Sequence, residues 1–134
     1  MTQTLTNKPA AMSAASKKVV RSFLDSNVFL KPEELSNYFS EHFVMKWHAS
    51  SGYRNYDFKE YQRLCEFTSN SYTSLRASIS NIISEKEDVA VRFTVYVKTI
   101  ENPTEEIPIG YFISIFKVSY GKIVEINQSS HPKE

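Results

Sequence analysis

This sequence predicts an α+β domain in which three helices precede and cover a sheet, and three observations carry that expectation. Through the first half, apolar residues recur at spacings of three and four, the period of a helix with one buried stripe. From Leu75 onward the period changes to that of strands. The segments between these later strands are too short for a crossover helix, so neighbouring strands pair as antiparallel hairpins and the helices cover one face.

Residues 1–11 are mainly Thr, Asn, Gln, Lys and Pro, and read as a loose polar tail ahead of a single domain at 12–131. Met12, Ala15, Val19, Val20, Phe23 and Leu24 fall on one stripe of a first helix. Pro32 followed by Glu33 and Glu34 announces a short second helix, since proline suits a first helical position and carboxylates suit the positive end of the dipole. Leu35, Tyr38 and Phe39 would be its buried side. Aromatic and β-branched content makes 43–48 a short strand that ends at Ser50, Ser51 and Gly52. Asp57 with Glu60 reads as a capping box, and Phe58, Tyr61, Leu64, Cys65 and Thr68 follow at helical spacing as a third helix. Four strands are then expected at 75–84, 89–100, 109–120 and 122–129, turning at 85–88, 101–106 and Tyr120-Gly121. If Phe112, Ser114, Phe116 and Val118 point inward, Tyr111, Ile113 and Ile115 form an outward apolar row. A homodimer, or the tail, would have to cover it.

With 134 residues, 41% hydrophobic and 23% charged, the chain has the composition of one folded domain. Sixteen Lys and Arg against fifteen Asp and Glu leave a net charge of +1, no footprint for nucleic acid. The single cysteine, Cys65, builds no disulfide framework and fits a cytoplasmic location. No apolar run approaches a membrane span, and the polar start lacks the centre of a signal peptide. His42, His48 and His131 form no ligand spacing, so no metal is expected; Gly52, Gly110 and Gly121 lie far apart and build no phosphate loop, so no nucleotide cofactor is expected.

Three local motifs in the expected order resemble the NTF2-like superfamily and, within it, the SnoaL-like relatives of polyketide cyclases. Tyr120-Gly121-Lys122-Ile123-Val124-Glu125 resembles the family's last hairpin. Glu87-Asp88-Val89-Ala90-Val91-Arg92 is similar to its acidic turn into an alternating strand. Trp47-His48 followed by 50–57 is similar to the passage from a short strand through a Tyr-Arg-Gly turn into the third helix, with Tyr53 and Arg54 matching and Asn55 in place of glycine. The resemblance covers about 12–131. It implies a cone: three helices on a strongly curved sheet, a cavity between them open at one end, and dimerisation through the outer sheet face.

In enzymes of that superfamily, Asp, Glu or His projects into an apolar cavity, where desolvation tunes it for proton transfer next to a carbonyl. Only Glu125 among the acids sits well inside a predicted strand, and it reads as a structural partner of Arg92 or Lys122. Where the resemblance implies a catalytic Asp, the chain has Asn127-Gln128-Ser129-Ser130-His131, groups that orient a carbonyl rather than deprotonate its neighbour. His48 is then the candidate proton shuttle. Tyr38, Trp47, Tyr53, Tyr61, Phe93 and Phe112, with Ser114 and Asn127 as polar contacts, are the expected ligand-binding residues. The functions these imply are binding of a small apolar carbonyl compound with cofactor-free isomerase, dehydratase or cyclase chemistry, or a non-catalytic ligand-binding or protein-interaction module.

Overall fold

The computed structural model describes the backbone of residues 2–133 and the side chains of 8–133. Two α-helices, α1 (Thr2–Leu24) and α2 (Phe58–Ser71), and two 3-10 turns, Val28–Leu30 and Pro32–Asn37, accompany six strands. The strands are β1 (Phe39–Ala49), β2 (Gly52–Asp57), β3 (Tyr72–Glu85), β4 (Asp88–Thr99), β5 (Glu106–Ser119) and β6 (Lys122–Pro132). They form one open sheet in the order β2-β1-β6-β5-β4-β3. All neighbours are antiparallel except β1 and β6, which run parallel and bring the first strand beside the last.

Three local expectations are corrected. The first helix spans Thr2–Leu24, a range that includes most of the expected tail. Residues 8–11 are exposed, so this stretch extends the packed helix without burying anything; a polar sequence argues against packing, not against helical propagation. The expected second helix is a six-residue 3-10 turn, begun by Pro32 and ended because Phe39 already belongs to β1. Strand β1 is longer than 43–48, and the segment after it turns at Ser50 and Ser51 to form β2, which pairs with β1 from Ala49↔Gly52 to Val44↔Asp57. Its residues are mostly exposed, which is why no apolar alternation marks it.

The remaining elements form for the reasons the sequence supplies. Asp57 Oδ1 accepts from the Glu60 backbone N–H at 2.9 Å, and Glu60 Oε1 accepts from the Asp57 N–H at 3.1 Å, completing the capping box of α2. Tyr120 (φ 51°) and Gly121 (φ 76°) are both left-handed, as a two-residue primed hairpin turn requires. Helix α1 packs on β3, β4 and β5, while α2 packs on β1, β2, β3 and both 3-10 turns. Between them and the sheet lies the core of Val20, Phe23, Val28, Leu35, Phe39, Phe43, Met45, Cys65, Val89, Val91, Val97, Phe116, Ile123 and Ile126. Among the described residues no helix is long and apolar enough to cross a membrane.

Candidate ligand cavity

A hollow of about 260 Å³ lies between the inner sheet face and the helices. Its sheet side is set by alternation across four strands. On β4 and β5, Phe93 faces Phe112 in register, and their rings stack 5.2 Å apart with an interplanar angle of 8°. Trp47 on β1 lies 6.4 Å from Phe112, and Met45, Val95, Phe116 and Ile126 close the floor. The helical side is Phe23, Leu24, Phe29, Tyr61 and Leu64, and β3 adds Tyr72, Leu75 and Ala77. Phe67 and Thr68 sit at the mouth, where the Phe67 side chain is 71% exposed.

Few polar groups enter. Trp47 Nε1 donates to Ser130 Oγ at 2.7 Å, and Thr68 Oγ1 donates to the Leu64 carbonyl at 2.9 Å, so both donors are occupied. Ser114, fully buried, donates from Oγ to Gln128 Oε1 at 2.8 Å. The Gln128 amide nitrogen and the Tyr61 hydroxyl have no hydrogen-bond partner among the described residues, yet no sealed side-chain N or O there is orphaned. Both side chains line the hollow. Burial, with a smaller contribution from Cys65, pushes the Tyr61 phenol well above its ordinary value, so it stays a proton-bearing donor. Among the described residues, no carboxylate, imidazole, amine or guanidinium lines the hollow.

Of the expected site residues, the fold brings Trp47, Tyr61, Phe93 and Phe112 together around the hollow. Ser114 stands behind it, reaching it through Gln128. Tyr38 is half-buried at the end of the second 3-10 turn, its ring 6.0 Å from Phe23, and does not line the hollow. His48 and Tyr53 do not line the hollow. Trp47 points inward, so its neighbour His48 must point outward; it is exposed, with its ring 4.7 Å from that of Tyr53, itself 54% exposed. The alternation alone could have excluded one of Trp47 and His48.

Asn127 is also outward and exposed, donating from Nδ2 to Glu125 Oε2 at 2.8 Å. A bulge on β6 between Ile123 and Glu125, opposite Val118 and Lys117 of β5, is the cause. The extra residue, Val124, inverts the phase of β6, so Ile126 and Gln128 face in and Glu125 and Asn127 face out. Glu125 takes neither expected partner, since Lys122 Nζ donates instead to the Ser36 and Asn37 carbonyls, each at 3.0 Å. Sequence reasoning missed Gln128, and also Phe67, Thr68, Tyr72 and Leu75. The available signal for Gln128 was Ser114, a lone hydroxyl among inward apolar residues that needed a polar partner.

No protein-family model matches the sequence, and no curated protein matches it. Solved structures match its architecture closely. IdmH, a candidate polyketide cyclase from Streptomyces antibioticus, has a TM-score of 0.66 at 16% identity, over 86% of this chain and 91% of its own. An LEH-like epoxide hydrolase from M. tuberculosis has a TM-score of 0.66 at 12% identity, over 88% of this chain and 84% of its own. A candidate SnoaL-like polyketide cyclase from Jannaschia sp. CCS1 has a TM-score of 0.64 at 11% identity, over 89% and 87%.

Proposed function

We propose, for a chain with the NTF2-like fold that SnoaL-like polyketide cyclases share, that it binds a small, mostly apolar organic molecule in the hollow between sheet and helices. The observation that carries this reading is the hollow itself: about 260 Å³, walled by stacked rings, larger than the ~150 Å³ apolar cavity that takes up benzene. Such a space has no packing role, because unfilled volume forfeits dispersion contacts. Burying the apolar surface of a ligand restores them.

The polar inventory favours binding over acid/base catalysis. A cofactor-free isomerase, dehydratase or cyclase needs a base beside the reacting carbon, and among the described residues the lining carries no carboxylate or imidazole. His48, on the opposite face of β1, is not positioned for that step. We therefore place a non-catalytic ligand-binding module first and carbonyl chemistry second. The reading requires no cofactor. A homodimer through the outer sheet face and a cytoplasmic location, the latter on the single unpaired thiol of Cys65, belong to the same proposal.

Trp47 is the single tryptophan and lines the hollow, so its fluorescence reports occupancy. Titration with naphthalene is expected to change that emission saturably, and Ala77→Phe, which fills the space, is expected to abolish the change while the fold persists by circular dichroism. Unaltered Trp47 emission up to the solubility limit of naphthalene would remove the binding reading. His48→Ala is expected to bind as the parent does.

A further inference from the structure

We infer that the last turn of α2, residues 67–71, is a lid on the hollow, which shuts by unwinding and carrying the Phe67 ring across the mouth onto the occupant. This rests on the binding reading and adds to it a moving part and the residue that plugs the opening.

The plug is a large ring held in water. Phe67 borders the hollow yet is 71% exposed, alone among the described lining residues in being exposed at all beyond the half-buried class. A helix turns about 100° per residue, so a helical backbone keeps Phe67 to the side of the stripe of Tyr61, Leu64 and Thr68 that borders the hollow. Rotation by one residue's worth brings the ring over the opening and takes its apolar surface out of water.

The hinge is a turn built weakly. Tyr61 and Cys65 are the buried residues of α2, and both precede it. After Phe67 the turn reads Thr68-Ser69-Asn70-Ser71, four poor helix formers in succession. The hydroxyls of Thr68, Ser69 and Ser71 donate back to the Leu64, Glu66 and Phe67 carbonyls at 2.9, 2.7 and 2.9 Å, bonds that loosen and bend a helix. No basic side chain meets the dipole in this turn, and the chain passes straight into the extended backbone of Tyr72 without a left-handed cap. Segments of this kind open at low cost. An occupant then decides the balance: over an empty hollow the ring finds no atoms to touch, and over a filled one it gains dispersion contacts, the differential interaction that shifts a two-state element.

Release of naphthalene, followed by Trp47 emission in stopped flow, tests the lid in the parent, in Phe67→Ala, in the double variant Ser69→Ala with Asn70→Ala, and in all three substitutions combined. Ser69 and Asn70 do not line the hollow, and alanine at both strengthens the helical form. The double variant is therefore expected to disfavour the shut lid and speed release about fivefold, with association unchanged and a urea midpoint equal to the parent's or higher. Phe67→Ala is expected to speed release about tenfold or more. On that background the alanine pair is expected to add nothing, since a lid without its plug seals nothing, whereas a merely structural turn would not link the two. Equal release from the parent and the double variant, or the same acceleration by the pair with and without Phe67, overturns the inference and leaves the binding reading standing. Failure of naphthalene to bind the parent overturns both.

Discussion

Cys65 has no exposure to water, and burial, aided by the nearby Glu66 charge, pushes its thiol from 9.0 up to about 12. Between those values the unfolded chain releases the proton and the native chain keeps it. Stability contributed by the buried neutral thiol is thus complete below about pH 9 and falls as pH rises toward 12, with a limiting slope of roughly 1.4 kcal/mol per unit. Urea midpoints measured from pH 8 to 11 are expected to fall more steeply in the parent than in Cys65→Ala, in which only groups such as Tyr61 still contribute to the decline. Equal slopes would mean that the thiol is already ionised or solvated in the native state. The same physics keeps Tyr61 a donor: its phenol, desolvated beside the hollow, holds its proton through the neutral range. Both residues were legible in the sequence as members of one helical stripe. Their protonation was not, because it depends on what the stripe is pressed against.

Helix α2 carries Tyr61, Leu64, Phe67 and Thr68 to one side of the hollow, and its reciprocal cap fixes where that helix begins. Replacing Asp57 by Ala removes the acceptor for the Glu60 N–H and is expected to lower unfolding free energy by about 1 kcal/mol. The measurement is urea denaturation, with naphthalene affinity falling in parallel if fraying reaches the cavity wall. No loss of stability would mean that water satisfies the first turn as well as the carboxylate does. This cap was readable because it is local, four residues with a known geometry, and the long strands β4 and β5 were readable because their alternation runs unbroken for many residues. What escaped is non-local. The bulge between Ile123 and Glu125 exists only in the pairing of β5 with β6, and it inverts the facing of Asn127 and Gln128 without leaving a mark in the amide-rich sequence itself. Strand β2 is exposed along most of its length and held by its pairing with β1, so period and composition were silent about it.

At the scale of the molecule, the unresolved demand is the outer sheet face. Tyr111, Ile113 and Ile115 are 38%, 57% and 49% exposed, as the alternation of β5 predicts, and α1 does not cover them because it packs on the inner side. Residues 8–11, which a loose tail could have brought across, are instead exposed in the helical extension. The row is flanked in register by Arg92 and Ser129 beside Ile113 and by Ala90 and Asn127 beside Ile115, and it ends at a charged row of Asp88, Lys117 and Glu125. An apolar centre with a polar rim suits a self-complementary two-fold contact, in which each Ile113 buries against its mate. Sedimentation equilibrium is expected to return twice the 15.5 kDa chain mass for the parent and the single mass for Ile113→Glu, since a carboxylate pair at the axis would be desolvated without a partner. Ile113 points away from the hollow, so the variant should still change Trp47 emission with naphthalene. A parent that sediments as one chain at concentrations where other dimers of standard interface size persist would leave the homodimer without support, while the hollow on the inner face would be unaffected.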